Sequence, residues 1–424
     1  MKMTIGAVFD ELFGTELPLR VTAYDGSTGG NPNAPFAMEL LNERALRYMV
    51  TSPGELGLVR AYLSGDLEFD GIPPGNPYEF LNLFMTDFEI KRPQFAKVAR
   101  IARGLGIKNL QIPPLPEQEQ PPQWRRGLEG LRHSRKRDAD AIRYHYDVSN
   151  EFYELVLGPS MTYTCAAYPT ADASLEEAQA NKHDLVCRKL DLQPGQRLLD
   201  VGCGWGGMVR HAVEHYGVTA LGVTLSQNQA SWAGQKIKEM RLDDRAEVRF
   251  CDYRDVTEGD FDAVSSIGLT EHIGAKNYPA YFQFLHSKLR PGGRLLNHCI
   301  TRTDTKKPSL TKGGFINRYV FPDGELVPVG TIASAMQAQG FEVRHVEDLR
   351  EHYARTCTQW AQNLEDNWDE CVADAGLPIA KIWGLYLAGS ALGFTRNNIQ
   401  LHQVLGQKVG RDGTAEYPLR PLYG

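Results

Sequence analysis

From residue 197 onward the apolar positions come in short runs, each followed by a polar stretch of helical length. Leu198, Leu199 and Val201 read as the end of a buried parallel strand. Thr219 to Thr224, Glu247 to Phe250, Phe261 to Ile267 and Gly293 to His298 read as four more strands. The last of these follows the turn Arg290-Pro291-Gly292-Gly293, and Phe341 to Val346 with Ile399 to Lys408 supply a closing antiparallel pair. Leu175 to Leu190, Met208 to Tyr216 and the stretch ending at Met240 carry helical spacing instead. Strands alternating with helices predict an α/β fold, a doubly wound seven-stranded sheet with an antiparallel last strand.

The first hundred residues follow a different pattern. Short strand-like pieces, Leu17 to Tyr24 and Phe36 to Leu41, alternate with a helix near Pro53 to Ser64. Leu63 to Asp70 reads as a turn and a short strand. This predicts a smaller N-terminal α+β domain over 1–112, without a cluster of catalytic groups. Within Lys91 to Lys108, Phe95, Val98, Ile101 and Leu105 recur at helical spacing, while Lys97, Arg100 and Arg103 lie on other faces. Such a helix either packs on the domain core with a solvated basic side or rests on anionic lipid headgroups. Pro113, Pro114, Pro116, Pro121 and Pro122 then mark a semi-rigid linker, taken as 113–139. Its arginines and lysine from Arg125 to Arg137 allow the same two readings. The catalytic domain is expected over 140–424.

Composition narrows the class. A chain of 424 residues is too long for one ordinary core, and 42% hydrophobic with 23% charged residues fits a soluble globular protein. The net charge of -6 argues against nucleic acid as the principal partner. Seven scattered cysteines, without a Cys-x-x-Cys pair, suggest neither a metal site nor a disulfide framework, and they fit a cytoplasmic setting. Asp10 and Glu11 come too early for a signal peptide. The most apolar uncharged run, Ile382 to Phe394, reads as too short to span a bilayer.

Candidate chemistry collects after the strands. Arg197 to Gly207, Arg-Leu-Leu-Asp-Val-Gly-Cys-Gly-Trp-Gly-Gly, places a glycine turn between a strand and a helix. Gly202 and Gly204 let a ligand approach the backbone closely, and the helix amides point into the same crevice. Asp200 before the turn, and a pattern other than Gly-x-Gly-x-x-Gly, tell against a pyrophosphate. Thr224 and Gln229 follow the second strand, Asp252 and Tyr253 the third, Glu271 the fourth, and His298 and Ile300 the fifth. Any one of these could be a cap; their joint placement on one rim makes a site.

Several blocks carry a family resemblance. They are Tyr144-His145-Tyr146-Asp147-Val148-Ser149-Asn150-Glu151-Phe152-Tyr153, Met161-Thr162-Tyr163-Thr164-Cys165, Asp200-Val201-Gly202-Cys203-Gly204-Trp205-Gly206-Gly207 and Gly222-Val223-Thr224-Leu225-Ser226-Gln227-Asn228-Gln229. Glu271-His272-Ile273-Gly274-Ala275-Lys276-Asn277-Tyr278, Phe315-Ile316-Asn317-Arg318-Tyr319-Val320-Phe321-Pro322 and His352-Tyr353-Ala354-Arg355-Thr356 extend them. Together they resemble the cyclopropane-fatty-acyl-phospholipid synthases and their mycolic-acid relatives over nearly all of 140–410. The long N-terminal domain resembles that of the phospholipid-acting members.

The resemblance implies a class I, Rossmann-like S-adenosylmethionine-dependent methyltransferase. By position it implies cofactor contacts at Tyr163, Thr164, Asp200, Gly202, Gly204, Thr224, Gln229, Asp252 and Tyr253. It further implies a bicarbonate ion held by Cys165, Glu271, His298, Ile300 and Tyr353. In the implied reaction, methyl transfer to the double bond of an unsaturated phospholipid acyl chain leaves a carbocation. Tyr319, Phe321 and Tyr278 are candidates to face it, although Tyr278 also reads as core. Bicarbonate beside Glu271 and His298 then takes a proton from the new methyl group. Direct proton loss closes a cyclopropane, whereas a prior hydride shift gives a 10-methylene branch; Leu19 to Asp70 and Gln400 to Pro421 resemble the methylene-forming enzymes. The implied partner is phospholipid at the inner face of the membrane, met peripherally from the cytoplasm, and a homodimer is left open. The competing reading is a lipid-binding protein with a decayed site, against which the complete set of Cys165, Glu271, His298 and Tyr353 speaks.

Overall fold

In strand β1 (Leu19–Ala23), Leu19, Val21 and Ala23 are buried and Arg20 is exposed, so one face of the strand meets a core. β1 pairs antiparallel with β2 (Thr28–Gly30) and parallel with β3 (Phe36–Leu40), and β3 pairs antiparallel with β4 (Leu67–Asp70). Helices Ile5–Phe13, Glu43–Thr51 and Glu55–Leu63 add Ile5, Phe9, Ala45, Leu46, Tyr48 and Ala61 to the same core. Asn42 starts the second helix by accepting from the amides of Arg44 and Ala45 at 2.9 and 3.3 Å. The structure, a computed structural model, describes residues 3–14, 17–86, 111–119, 148–304, 314–322, 324–421 and 423. The basic helix expected at 91–108, the cationic stretch at 125–137 and residues 144–147 lie outside these.

This first unit comprises Met1–Pro122, Gly313–Val320 and Leu364–Gly389. The two late segments, which sequence spacing does not reveal, belong to it through specific contacts. Asn76 Nδ2 donates to Glu365 Oε2 at 2.9 Å, and a side chain at Gly75 would stand 2.7 Å from the Trp368 ring. Lys381 donates to the carbonyl of Tyr62 at 3.1 Å, its ammonium 4.1 Å from the centre of that ring. The proline-rich stretch also holds a buried charge. Glu119 accepts two bonds from Arg60, both at 2.6 Å, and one from the Tyr319 hydroxyl at 2.9 Å. All three residues are buried, so this fork is shielded from water.

The second unit comprises Gln123–Lys312, Phe321–Asn363 and Ser390–Gly424. Its strands are β5 (Arg197–Val201), β6 (Thr219–Thr224), β7 (Ala246–Phe250), β8 (Phe261–Ile267), β9 (Leu289–Arg302), β10 (Phe341–Asp348) and β11 (Ile399–Lys408). They lie in the order β10-β11-β9-β8-β5-β6-β7, with β9, β8, β5, β6 and β7 mutually parallel and β11 antiparallel to both its neighbours. Leu198 and Leu199 point to opposite faces. The first packs with Val186, Leu190, Val209 and Ile237, the second with Tyr281, Phe282, Leu285 and Met336. The class I α/β sheet with an antiparallel strand is therefore as expected.

Two local expectations change. The turn at 290–293 lies inside β9: Phe261 pairs with Leu289 and Ala263 with Arg294, so the extra residues bulge out where Gly292 has φ +81°. The run Ile382 to Phe394 sits in a longer helix, Leu377–Thr395, which among the described residues is the one long and apolar enough to cross a membrane. Its Leu387, Ala388, Ala391 and Leu392 are fully buried, so packing rather than shortness distinguishes it from a membrane span.

The buried fork generates a stability prediction. Glu119→Leu strands the Arg60 guanidinium and is expected to cost about 3–5 kcal/mol, while adding Arg60→Met restores most of it. Urea unfolding of the two variants checks this; a single-variant loss below about 1 kcal/mol would mean that water reaches the pair.

Candidate active site

The polar groups that follow β5, β6, β7 and β8 line a cleft that opens to solvent. At its floor, β5 delivers Asp200 to the glycine turn, where Gly202 and Gly204 have φ +79° and +54°. Gly204 lines the cleft, and a Cβ there would meet no protein atom within 4 Å. The backbone is thus open to a ligand at that point. Thr224 donates to Gln229 Oε1 at 2.7 Å, and Ser226 accepts from the Gln229 amide at 3.3 Å, fixing Gln229 in the first helical turn. Tyr163, Thr164 and Tyr253 line the same cleft. Tyr253 stands edge-on to Tyr281 and Phe284, with ring centres 5.3 and 5.2 Å apart. Asp252 does not line the cleft. Its carboxylate caps the turn Tyr253–Asp255 and pairs with Arg254 Nε at 2.7 Å, so it acts on the backbone that carries Tyr253.

Asp200 is buried and accepts from Ser265 Oγ at 2.7 Å. Burial pushes its carboxyl up to about 6, against the pull of Ser265 and Lys182. Lys182, fully buried in the same wall, donates to Thr164 Oγ1 at 3.0 Å and lies 3.0 Å from His183 Nε2. Burial draws its ammonium down to about 7, opposed by Cys165 and Asp200. Sequence reasoning did not single out Lys182 or His183. The available signal was positional: Gln179, Lys182 and Lys189 fall on the same buried stripe of helix Leu175–Leu190 as Leu175, Ala178 and Val186.

Cys165, Glu271, His298, Ile300 and Tyr353 do not line the open cleft, although their neighbours Thr164, Gly268 and His272 do. The structure brings them together in two groups. Glu271, in the short helix Thr270–Ile273, accepts from the Ile300 amide at 2.6 Å through Oε1. His298 lies opposite Ile267 and accepts from the Gly268 amide at 2.8 Å through its carbonyl. Cys165 Sγ lies 3.7 Å from the Leu349 carbonyl, which also receives the Tyr353 amide at 3.0 Å. Tyr353 stacks on Phe394 at 4.4 Å. The charge of Lys182 acts on both Cys165 and His298, which links the groups.

Two buried atoms in the first group lack a hydrogen-bond partner, Oε2 of Glu271 and Nε2 of His298. Burial pushes Glu271 up to about 7, against the pull of the Ile300 amide. Burial, then the charges of Lys182 and Lys189, hold His298 well below the usual imidazole range. Of the candidate rings, Phe321 lies 5.5 Å from His272 on the cleft wall. Tyr278 is core, packed on Phe282, and Tyr319 is engaged by Glu119 in the first unit. Among the described residues there is no group of three or more His, Cys, Asp or Glu arranged to hold a metal.

Comparison with known proteins fits this geometry. Residues 133–404 match the family described as mycolic acid cyclopropane synthetase. The chain is 56% identical to a probable fatty acid methyltransferase of Mycobacterium tuberculosis, over 96% of this chain and 95% of the relative. It is 31% identical to the cyclopropane-fatty-acyl-phospholipid synthase of Escherichia coli, over 90% of this chain and 91% of that one. Among solved structures, mycolic acid cyclopropane synthase CmaA1 complexed with SAH and CTAB superposes with a TM-score of 0.60 at 35% identity, covering 64% of this chain and 98% of that one. The chain belongs to the mycolic acid cyclopropane synthetase family and is an S-adenosylmethionine-dependent methyltransferase.

Proposed function

We propose that the enzyme methylates the double bond of an unsaturated acyl chain in a membrane phospholipid, and that a bicarbonate ion held beside Glu271 and His298 accepts the proton released. The observation that carries this reading is the pair of buried, unpartnered polar atoms, Glu271 Oε2 and His298 Nε2. Unpaired polar atoms are costly to bury, so the pair suits a small polar ligand. The donor set also fits a monoanion. With its carboxyl pushed up to about 7, Glu271 keeps a proton below neutrality; His298 is neutral, and burial keeps the Cys165 thiol protonated. Cys165, Glu271, His298, Ile300 and Tyr353 would hold the ion, and bound bicarbonate would supply the proton acceptor.

The chain's own residues do the remaining work. Gly202, Gly204, Thr224, Gln229, Asp200, Thr164, Tyr163 and Tyr253 would hold S-adenosylmethionine, which would supply the methyl group. An isolated alkene is a weak nucleophile, so walls that exclude water and hold it in line with the sulfonium raise the rate most. Phe321, at the cleft edge beside His272, offers an aromatic face to the developing cation.

The resemblance of Leu19 to Asp70 and Gln400 to Pro421 to the methylene-forming enzymes favours a 10-methylene product over a ring. Work at the inner face of the membrane, from the cytoplasm, completes the reading; seven cysteines, all free, support it.

Incubation with dioleoyl phospholipid vesicles and methyl-labelled cofactor is expected to give a labelled exocyclic methylene, seen by proton NMR of the released esters. Cyclopropane protons would reassign the product, and an unlabelled lipid would overturn the substrate. Gly204→Val should weaken S-adenosylmethionine binding about tenfold or more, because the side chain fills space open to the ligand. Calorimetry on the folded variant reads this, and unchanged affinity would remove the glycine turn from the site.

Glu271→Gln keeps the shape and is expected to lower turnover about a hundredfold with cofactor affinity intact. The raised pKa also fixes a pH dependence. Below about 7 the carboxyl keeps its proton, and above it the ionised group repels the anion, so the parent's KM for bicarbonate should rise. In the Gln variant that rise should vanish; turnover near the parent's would place the proton acceptor elsewhere.

A further inference from the structure

We propose that Gln403 and Lys189 act as positioning residues that fix the tautomer of His298, so that this imidazole presents an Nε2–H donor to the site beside Glu271. The inference depends on the reading above only for the identity of the anion that receives the donor.

The argument starts from strand register. His298 on β9 stands directly opposite Gln403 on β11, and Gln403 stands directly opposite Glu347 on β10. Three side chains therefore form a row across neighbouring strands, where cross-strand partners touch. Gln403 Nε2 lies 3.2 Å from His298 Nδ1, and both residues are fully buried. On its other side Gln403 Oε1 accepts from Lys189 Nζ at 2.6 Å. Lys189, also fully buried, enters from helix Leu175–Leu190 and pairs with the Glu347 carboxylate.

Each group in this row constrains the next. An ammonium can only donate, so the amide of Gln403 must turn its oxygen towards Lys189. Its NH2 group is then left facing His298, and Nδ1 must accept. A neutral imidazole carries one proton, which is thereby assigned to Nε2. The opposite tautomer would set two buried donors against each other, which is costly. Burial and the charges of Lys182 and Lys189 keep the ring neutral, so the second proton that would erase the distinction is absent. The donor so defined sits on the very nitrogen that lacks a protein partner.

The test uses the full-length protein without lipid or bicarbonate. Long-range proton–nitrogen NMR, with His298 assigned by its loss in His298→Gln, should show Nε2 protonated and Nδ1 unprotonated in the parent. Gln403→Glu keeps the contact with Lys189 but offers His298 only an acceptor, so the proton should move to Nδ1. Lys189→Met releases the amide to rotate and should populate the Nδ1–H form, and it gives a second readout should Gln403→Glu misfold. An Nδ1–H tautomer in the parent, or Nε2–H retained in both variants, overturns the proposal. In kinetics, the variants should raise the KM for bicarbonate about tenfold or more while leaving S-adenosylmethionine affinity unchanged. A tautomer that switches without any change in bicarbonate KM upholds the positioning role and overturns bicarbonate as the anion.

Discussion

β8 stops at Ile267, opposite His298, while β9 continues to Arg302. The amide of Ile300 therefore projects past the end of the β8 ladder, and a buried amide without a partner is costly. Glu271 meets that need with one carboxylate oxygen, arriving from the helical turn that follows β8. Much of the active site depends on this single bond. It fixes the carboxyl group at the edge of the sheet, on the amide of Ile300, and leaves its second oxygen unengaged. The same burial that makes the bond necessary lifts the pKa of the group into the neutral range.

The wall on the cofactor side balances charge in a related way. Asp200 and Lys182 are both buried, and desolvation moves them towards each other, the acid up to about 6 and the base down to about 7. Neither is strongly committed to its charged form near neutrality. A charged ligand entering this cleft would therefore shift the protonation of both groups together.

The fold was largely legible because its strands are apolar runs bounded by polar or glycine-rich stretches. β6 and β8 coincide with the expected segments, and helix Leu175–Leu190 agrees as well. Glu271 and the glycine turn were visible as polar or small residues directly after such runs. Lys189 and Gln403 were not, because their significance lies in a contact between residues 214 positions apart. That contact depends on the register of three strands, which local pattern does not encode. Glu119 was hidden for the opposite reason: among prolines and glutamines a carboxylate reads as solvated, and only the arrival of Arg60 and Tyr319 shows that it is not.

The composition of the first unit has a further consequence for how the protein is made. That unit is closed by Gly313–Val320 and Leu364–Gly389, so Tyr319 reaches Glu119, and Trp368 packs against Gly75, only after these later segments have been made. During synthesis the N-terminal sheet emerges first but waits for partners that the ribosome adds well after it. By then every strand of the larger sheet except β11 has already been made. Vectorial, domain-by-domain folding is thus unavailable to this chain. Completion of the first unit must therefore wait for residues up to Gly389, and that of the second for the strand Ile399–Lys408.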